Sequence, residues 1–297
     1  MPNKGLDREL CRKLLETEGT VAGVHRALAR QGIHVIYGTV RRALQAQPAE
    51  GRRTKSRFPS TFDPGRGARL PAINSPALTE GRTLYPATVV DDLPRDLLKS
   101  GVHSSKIGGV VLKGRWKGMP LYTLTLEERA TCPTSCGHWR SCFGNKMHHA
   151  RRMSHRHPRF GSMLVENVQR LGLEHPGGFV VRLHVLGDFF SVPYVALWES
   201  LLNTVLPLRV FGYSARWNVA EDPVAAALVP LVIRRWERFA IRFSDAPVDE
   251  CATVSIEHPV QLPDDAVLCP EQAGLTESCS TCAFCWQSRR RVAFVQH

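Results

Sequence analysis

The chain of 297 residues predicts an α/β protein made of a small all-helical head and a larger, mainly parallel body. Three observations carry this. Residues 6–47 show helical periodicity with no strand-like run, whereas from residue 83 onward apolar runs of strand length alternate with helix-length stretches. Between them the composition shifts to Pro, Gly, Arg, Ser and Thr, and both periodicities are lost. The organisation expected is therefore a head over 1–47, a flexible basic linker over 48–82 and an α/β domain over 83–297.

In the head, Leu10, Leu14 and Leu15 form the apolar stripe of a first helix. Thr20 is placed to cap a second that carries Val21, Val24 and Leu28, and Gln31-Gly32 turns the chain towards a third. The third helix, with Val40 and Leu44 inward, leaves Tyr37, Thr39, Arg41 and Arg42 to meet a groove or phosphates. That is the logic of a helix-turn-helix domain. Charge points the same way. The formal net charge is +12, and Met1 to Leu70 holds 14 Lys and Arg against 6 Asp and Glu. Nucleic acid, with DNA the expected form, is favoured over a helical cap that only packs. Arg52, Arg53, Lys55 and Arg57 of the linker would trail along the phosphate backbone or, on the plainer reading, solvate a tether.

The body begins with a strand over Leu121 to Leu126. It continues with a helix from Gly161 to Leu171, a strand from Phe179 to Val185 and a helix from Tyr194 to Val205. Leu208 to Ser214 is a strand, Val224 to Trp236 a helix, and Phe239 to Phe243 and Ala252 to Ile256 are strands. This succession predicts a mainly parallel layer or partial barrel, with its site where strands end at their C-terminal edge.

Seven of the nine cysteines fall in two groups. Cys132, Cys136 and Cys142 follow the first body strand, and Cys279, Cys282 and Cys285 stand three residues apart with Cys269-Pro270 upstream. Three thiols at one short spacing can wrap a face of a cubane, whereas a structural zinc usually joins two separated Cys pairs through a long loop. One or two iron–sulfur clusters of 4Fe–4S type are thus favoured, with zinc the alternative. A disulfide framework is disfavoured, because Met1 to Leu10 has no apolar core and no small-residue cleavage site, and a cytoplasmic setting keeps thiols reduced. No run of eighteen apolar residues predicts a membrane-spanning helix. Cys11 and Cys251, far from other cysteines, read as core residues. The central group is one thiol short, and His138 within its loop is the candidate to complete it. Met147 to Phe160 holds four Arg and four His with no acid, which suits phosphate better than a cation.

Period-two alternation from Val180 puts Val181, Leu183 and Val185 on one strand face and Arg182, His184 and Leu186 on the other, leading into Gly187-Asp188. If the polar face looks onto a site, Gly187 lets the backbone approach a ligand and Asp188 accepts hydrogen bonds from it. A solvated strand face closed by a Gly-Asp turn is the alternative.

With these residues in view, positions 105–297 resemble the phage gene product 88 family, Cys-rich proteins of phages and mobile elements. Four marks carry the likeness: Ser105-Lys106-Ile107-Gly108; Thr131-Cys132-Pro133 closing at Cys142-Phe143; Val181-Arg182-Leu183-His184 running into Gly187-Asp188-Phe189; and Cys269-Pro270 leading to Cys279, Cys282, Cys285-Trp286. The head lies outside that pattern and resembles helix-turn-helix modules of bacterial regulators and transposases. A wider likeness is to radical S-adenosylmethionine enzymes, in which three loop cysteines bind a cubane whose fourth iron chelates the cofactor. Here Cys132, Cys136 and Cys142 take the matching places, and the likeness implies cofactor contacts from Arg182, His184, Gly187 and Asp188, with Trp139 and Phe143 excluding water. The spacing departs from that pattern, with three and then five residues between cysteines in place of three and then two, and Gly187-Asp188 replaces a double glycine and acid. The functions implied are redox or radical chemistry on nucleic acid, a non-catalytic iron–sulfur transcription regulator sensing oxygen or iron, or a zinc-stabilised interaction module. Whether the chain is an enzyme stays open at this point. Paired half-sites would suit a homodimer, although no long heptad repeat supplies its interface.

Overall fold

The computed structural model describes residues 6–35, 37–45, 70–247 and 251–296. It divides into two compact units, Met1–Asp63 with Cys269–Glu277, and Pro64–Leu268 with Ser278–His297.

The first unit contains helices α1 (Arg8–Glu18), α2 (Val21–Arg30) and α3 (Tyr37–Gln45). Asp7 caps α1 by accepting from the N–H groups of Glu9 and Leu10, and α1 stops at Gly19, whose φ of 66° only glycine adopts without strain. Thr20 caps α2, accepting from Gly23 N–H at 3.0 Å. Gly23 itself lets α2 approach α1, because a Cβ there would stand 2.7 Å from Glu18 Cβ. Cys11, Val24, Leu28, Val40 and Ala43 form the buried core of the three helices. Cys11 is thus the core cysteine the sequence predicts.

The second unit opens with α4 (Pro76–Thr79), β1 (Val89–Val90), β2 (Lys99–Ser100), β3 (Leu121–Thr123) and β4 (Arg152–Met153). Three strand–helix repeats follow: α5 (Phe160–Glu174), β5 (Phe179–Leu183), α6 (Val192–Thr204), β6 (Leu208–Ser214), α7 (Pro223–Arg235) and β7 (Phe239–Ser244). The remainder is β8 (Ala252–Ile256), β9 (Ala266–Leu268), α8 (Cys279–Cys282), α9 (Phe284–Gln287) and β10 (Arg291–Val295). Eight strands form one sheet in the order β2-β3-β5-β6-β7-β8-β10-β9, and every pair except β2–β3 is parallel. Strands β1 and β4 make a separate parallel pair.

Register assigns the faces. Arg182 pairs with Phe211 and Phe211 with Ala240, while Tyr213 pairs with Arg242. These five therefore share one face, and Val181, Leu183, Val210, Phe239 and Ile241, all fully buried, share the other. Helices α6 and α7 pack against β6 and β7, with Trp198, Leu228 and Val232 among their buried residues. Ser191 and Asp222 cap these two helices, each followed by proline at the first turn.

Two expectations change. Residues 70–82 are not linker: Pro76 starts α4 instead of breaking the chain, Ala77 is buried, and Arg82 pairs with Glu127. The rest of the expected linker, with Arg52 and Arg53, lies outside the described residues. The body also contains β10, which sequence periodicity did not single out, inserted between β8 and β9. Among the described residues no helix is long and apolar enough to cross a membrane.

Candidate metal centres

The central cysteines lie on the loop leaving β3, at the C-terminal edge of the parallel sheet. The loop is fixed at its base by the turn after β5. Leu126 N–H donates to Leu186 O at 3.0 Å, Thr131 Oγ1 donates to Glu127 O at 2.8 Å, and Asp188 N–H donates to Thr131 Oγ1 at 3.0 Å. Gly187 has φ 86°, and a Cβ there would stand 2.6 Å from Thr131 Oγ1 and 2.7 Å from Leu126 Cβ. Glycine is required so that the turn can touch the cysteine loop.

Asp188 is 2% exposed. Its Oδ1 accepts from Phe189 N–H and Ser214 Oγ, both at 2.7 Å, and Oδ2 accepts from Ala215 N–H at 2.8 Å. Burial pushes its carboxyl up to about 6, against the pull of those hydrogen bonds and of Arg216. Both oxygens are therefore spent on tying the loops after β5 and β6 together. Arg216 adds to this tie, donating to Asp222 Oδ2 at 2.7 Å and to Thr131 O at 3.4 Å.

Cys132, Cys136 and Cys142 are each partly exposed and lie close enough for their charges to interact. Burial pushes all three thiols up, Cys136 to about 11, and the Asp188 carboxylate adds to the effect on Cys132 and Cys136. Opposing this in part, Gly144 N–H donates to Cys142 Sγ at 3.4 Å, and the backbone at Arg129 and His138 pulls the Cys132 and Cys136 thiols down by less than burial pushes them up. Such bonds favour the thiolate. Among the described residues no three His, Cys, Asp or Glu side chains converge as ligands of a metal ion. Three thiols on one loop are a donor set that either a zinc ion or an iron–sulfur cluster accepts.

His138 is not turned to these thiols. Its Nε2 lies 2.8 Å from Ser255 Oγ and 3.0 Å from Asp245 Oδ2, and Nδ1 lies 3.4 Å from Ser141 Oγ. With both ring nitrogens engaged it clamps the loop to β7 and β8. Trp139 donates Nε1–H to Leu78 O at 3.2 Å, and Phe143 is 47% exposed, so Phe143 does not cover the site.

A buried charged brace beneath the loop escaped the sequence reading. Glu127, Glu128, Arg129 and Arg152 are each at most 3% exposed. Arg152 donates from Nε to Glu128 Oε2 at 2.5 Å and from an η nitrogen to Oε1 at 3.0 Å. Its other donors reach Thr88 Oγ1 and the carbonyls of Gly144, Met147 and Ala150. Arg129 holds Trp139 O at 2.8 Å and Asn145 Oδ1 at 2.5 Å. The one signal available was Glu127-Glu128-Arg129 standing between an apolar strand and the first cysteine. Arg152, expected on a basic surface, is a core residue, while Arg151, Arg156 and Arg159 are exposed as expected.

The second group is built differently. Cys279 and Cys282 bound α8, and Ala283, at φ 61°, redirects the chain into α9 with Cys285. Cys279 N–H and Ser280 N–H donate to Lys106 O and Ile107 O, which anchors α8 to the Ser105–Gly108 mark. Tyr213 hydroxyl lies 3.0 Å from Cys285 Sγ, and the Arg182 guanidinium sits 4.5 Å above the Tyr213 ring. Arg182 therefore belongs with the C-terminal cysteines, not with the central loop. His184 joins neither group: it is buried, 3.0 Å from Tyr194 hydroxyl through Nε2 and edge-on to Phe189, and burial lowers its pKa to about 3. Cys269 is buried in the segment grouped with the three-helix unit, and Cys251 is the expected core cysteine.

Of the candidate DNA contacts, Tyr37 packs edge-on to His25 at 5.7 Å, Thr39 is half-buried, and Arg41 pairs with Glu277 at 2.5 Å. The side chain of Arg42 lies outside the described residues. Compared with known proteins, the chain matches no family model, no curated protein and no solved structure.

Proposed function

We propose that the chain is a DNA-associated iron–sulfur protein of phage or mobile-element type, carrying out redox chemistry on nucleic acid. Cys132, Cys136 and Cys142 would hold one cluster, and Cys279, Cys282 and Cys285 would ligate a second. The observation that supports the reading is the central loop itself, which carries Cys132, Cys136 and Cys142 close enough for their charges to interact, with Gly144 N–H donating to Cys142 Sγ at 3.4 Å. A bound cluster supplies one-electron transfer. The chain's own residues set its surroundings: Gly187 and Asp188 fix the loop against the β5 turn, and His138 clamps its middle. Exposed Lys146, Arg151, Arg156 and Arg159 offer charge to a phosphate backbone, and the three-helix unit, read as a helix-turn-helix, offers a groove-binding helix in α3.

Iron and acid-labile sulfide, measured on protein prepared without oxygen, test this. Both are expected in the wild type, with Cys136→Ser losing about half of each on the two-cluster reading. Stoichiometric zinc without iron would replace the reading by a zinc-stabilised module.

One observation favours a second reading, a non-catalytic regulator. Among the residues implied as cofactor contacts, only Gly187 and Asp188 border the central loop, and both Asp188 oxygens are already engaged. On that reading the cluster's state changes DNA affinity by linkage, and equal affinities of loaded and cluster-free protein at matched salt eliminate it.

A further inference from the structure

The sheet face beneath the C-terminal cysteines carries two guanidinium groups that no carboxylate answers. Arg242 is fully buried and donates to the carbonyls of Cys285 at 3.1 Å and Arg290 at 2.9 Å, and to Ser288 O. Arg182 donates to its neighbour Leu183 O at 2.6 Å and lies over the rings of Tyr213, at 4.5 Å, and Phe211, at 5.4 Å. Among the described residues neither makes an ion pair. Buried cations are ordinarily paired, so the fully buried Arg242, with the half-buried Arg182 on the same face, marks a place suited to negative charge. Beside them stands Cys285, whose carbonyl Arg242 holds, and Cys279 lies near enough to Tyr213 for their charges to interact.

Tyr213 connects the cations to the sulfurs. Its ring is held between Arg182 on one side and Phe294, edge-on at 5.5 Å, and its hydroxyl lies 3.0 Å from Cys285 Sγ. A thiolate that ligates a metal carries no proton, so in that state the phenol is the only possible donor of this bond. We infer that Tyr213 and Arg182 are positioning residues that raise the reduction potential of the C-terminal centre: Tyr213 by donating its hydroxyl proton to Cys285 Sγ, and Arg182 by holding the ring and adding positive charge. Hydrogen bonds to the sulfurs and net local charge are the terms a protein uses to set such potentials. Reduction adds one electron, taken from dithionite in the test, and one unit of negative charge to the centre. Tyr213 keeps its proton and no covalent bond changes.

The inference rests on the iron–sulfur reading, and the test separates the two. Full-length protein is reconstituted without oxygen with ferrous iron and sulfide, then titrated with dithionite under paramagnetic-resonance detection. Tyr213→Phe is expected to keep its iron and sulfide and to show one transition in which the reduced-to-oxidised ratio at fixed potential falls at least tenfold, equivalent to about 59 mV for one electron. The other transition stays in place. An unmoved pair of transitions at unchanged iron and sulfide overturns the inference and leaves the cluster reading standing. A wild type that takes up neither iron nor sulfide overturns both. Should Tyr213→Phe load poorly, Arg182→Gln, which keeps the hydroxyl, is expected to lower the same transition, and no movement there overturns the inference equally.

Discussion

Replacing Arg152 by Met is the sharpest perturbation of the central loop. Arg152 is fully buried, and its guanidinium makes six hydrogen bonds: two to Glu128, at 2.5 and 3.0 Å, one to Thr88 Oγ1 at 2.7 Å, and three to carbonyls of Ala150 at 2.8 Å, Met147 at 3.2 Å and Gly144 at 3.3 Å. Methionine fills much of the same volume but provides none of these donors. It leaves the buried Glu128 carboxylate with Thr83 Oγ1, at 2.8 Å, as its remaining side-chain donor. Breaking a buried pair by removing one partner costs about 3–5 kcal/mol, a large part of the ~5–15 kcal/mol that holds a typical domain. Urea unfolding of cluster-free protein measures this, and thiol labelling of Cys142 should quicken as the Gly144–Ala150 segment loosens. Glu128→Gln in the same chain removes the stranded charge, so the double variant is expected to recover most of the loss. A loss below about 1 kcal/mol in the single variant, or a double variant as weak as the two losses summed, would refute the brace.

Two further outcomes follow from the geometry. Gly187→Ala forces a side chain into the left-handed region and against Thr131 and Leu126; a destabilisation of at least ~1–3 kcal/mol, with faster thiol labelling of Cys132, is expected by the same urea and labelling assays. His184, held neutral by burial with a pKa near 3, binds a proton in the unfolded chain but not in the folded one between about pH 6.5 and 3. Its contribution to stability is therefore present above pH 6.5 and declines as pH falls through that window. Measured as the wild-type minus His184→Gln difference, the decline steepens to at most about 1.4 kcal/mol per pH unit, and a pH-independent difference would contradict a neutral buried imidazole.

The alternating elements from β5 to β8 were legible because each strand is buried on both faces and each helix carries one apolar stripe, so period and length agreed. Thr20 was legible as a cap for a local reason, since its partner stands three residues on. What escaped was non-local. Arg182 and His184 alternate with Val181 and Leu183 and so looked like two residues of one site, yet β5 ends at Leu183 and His184, just beyond it, falls into an aromatic cluster. Arg152 reads as one of four arginines in a basic run, and only its pairing with Glu128, 24 residues upstream, places it in the core. His138 looked like a ligand because it stands among cysteines, but its partners Asp245 and Ser255 lie more than a hundred residues away.

The order of strands at the sheet's end departs from their order in the chain. Strand β9 pairs with β10 and with no other strand among the described residues, and β10 separates it from β8. The segment joining β9 to β10 in the chain carries α8 and α9, with Cys279, Cys282 and Cys285, and β9 can join the sheet only where β10 is already in place. Release of β10 at this corner frees β9 with it and bares the ladder groups of β8, an edge that another chain could join. Ligation of those cysteines would act as a latch on that corner, so loss of whatever they hold should show first as self-association, before any loss of the three-helix unit.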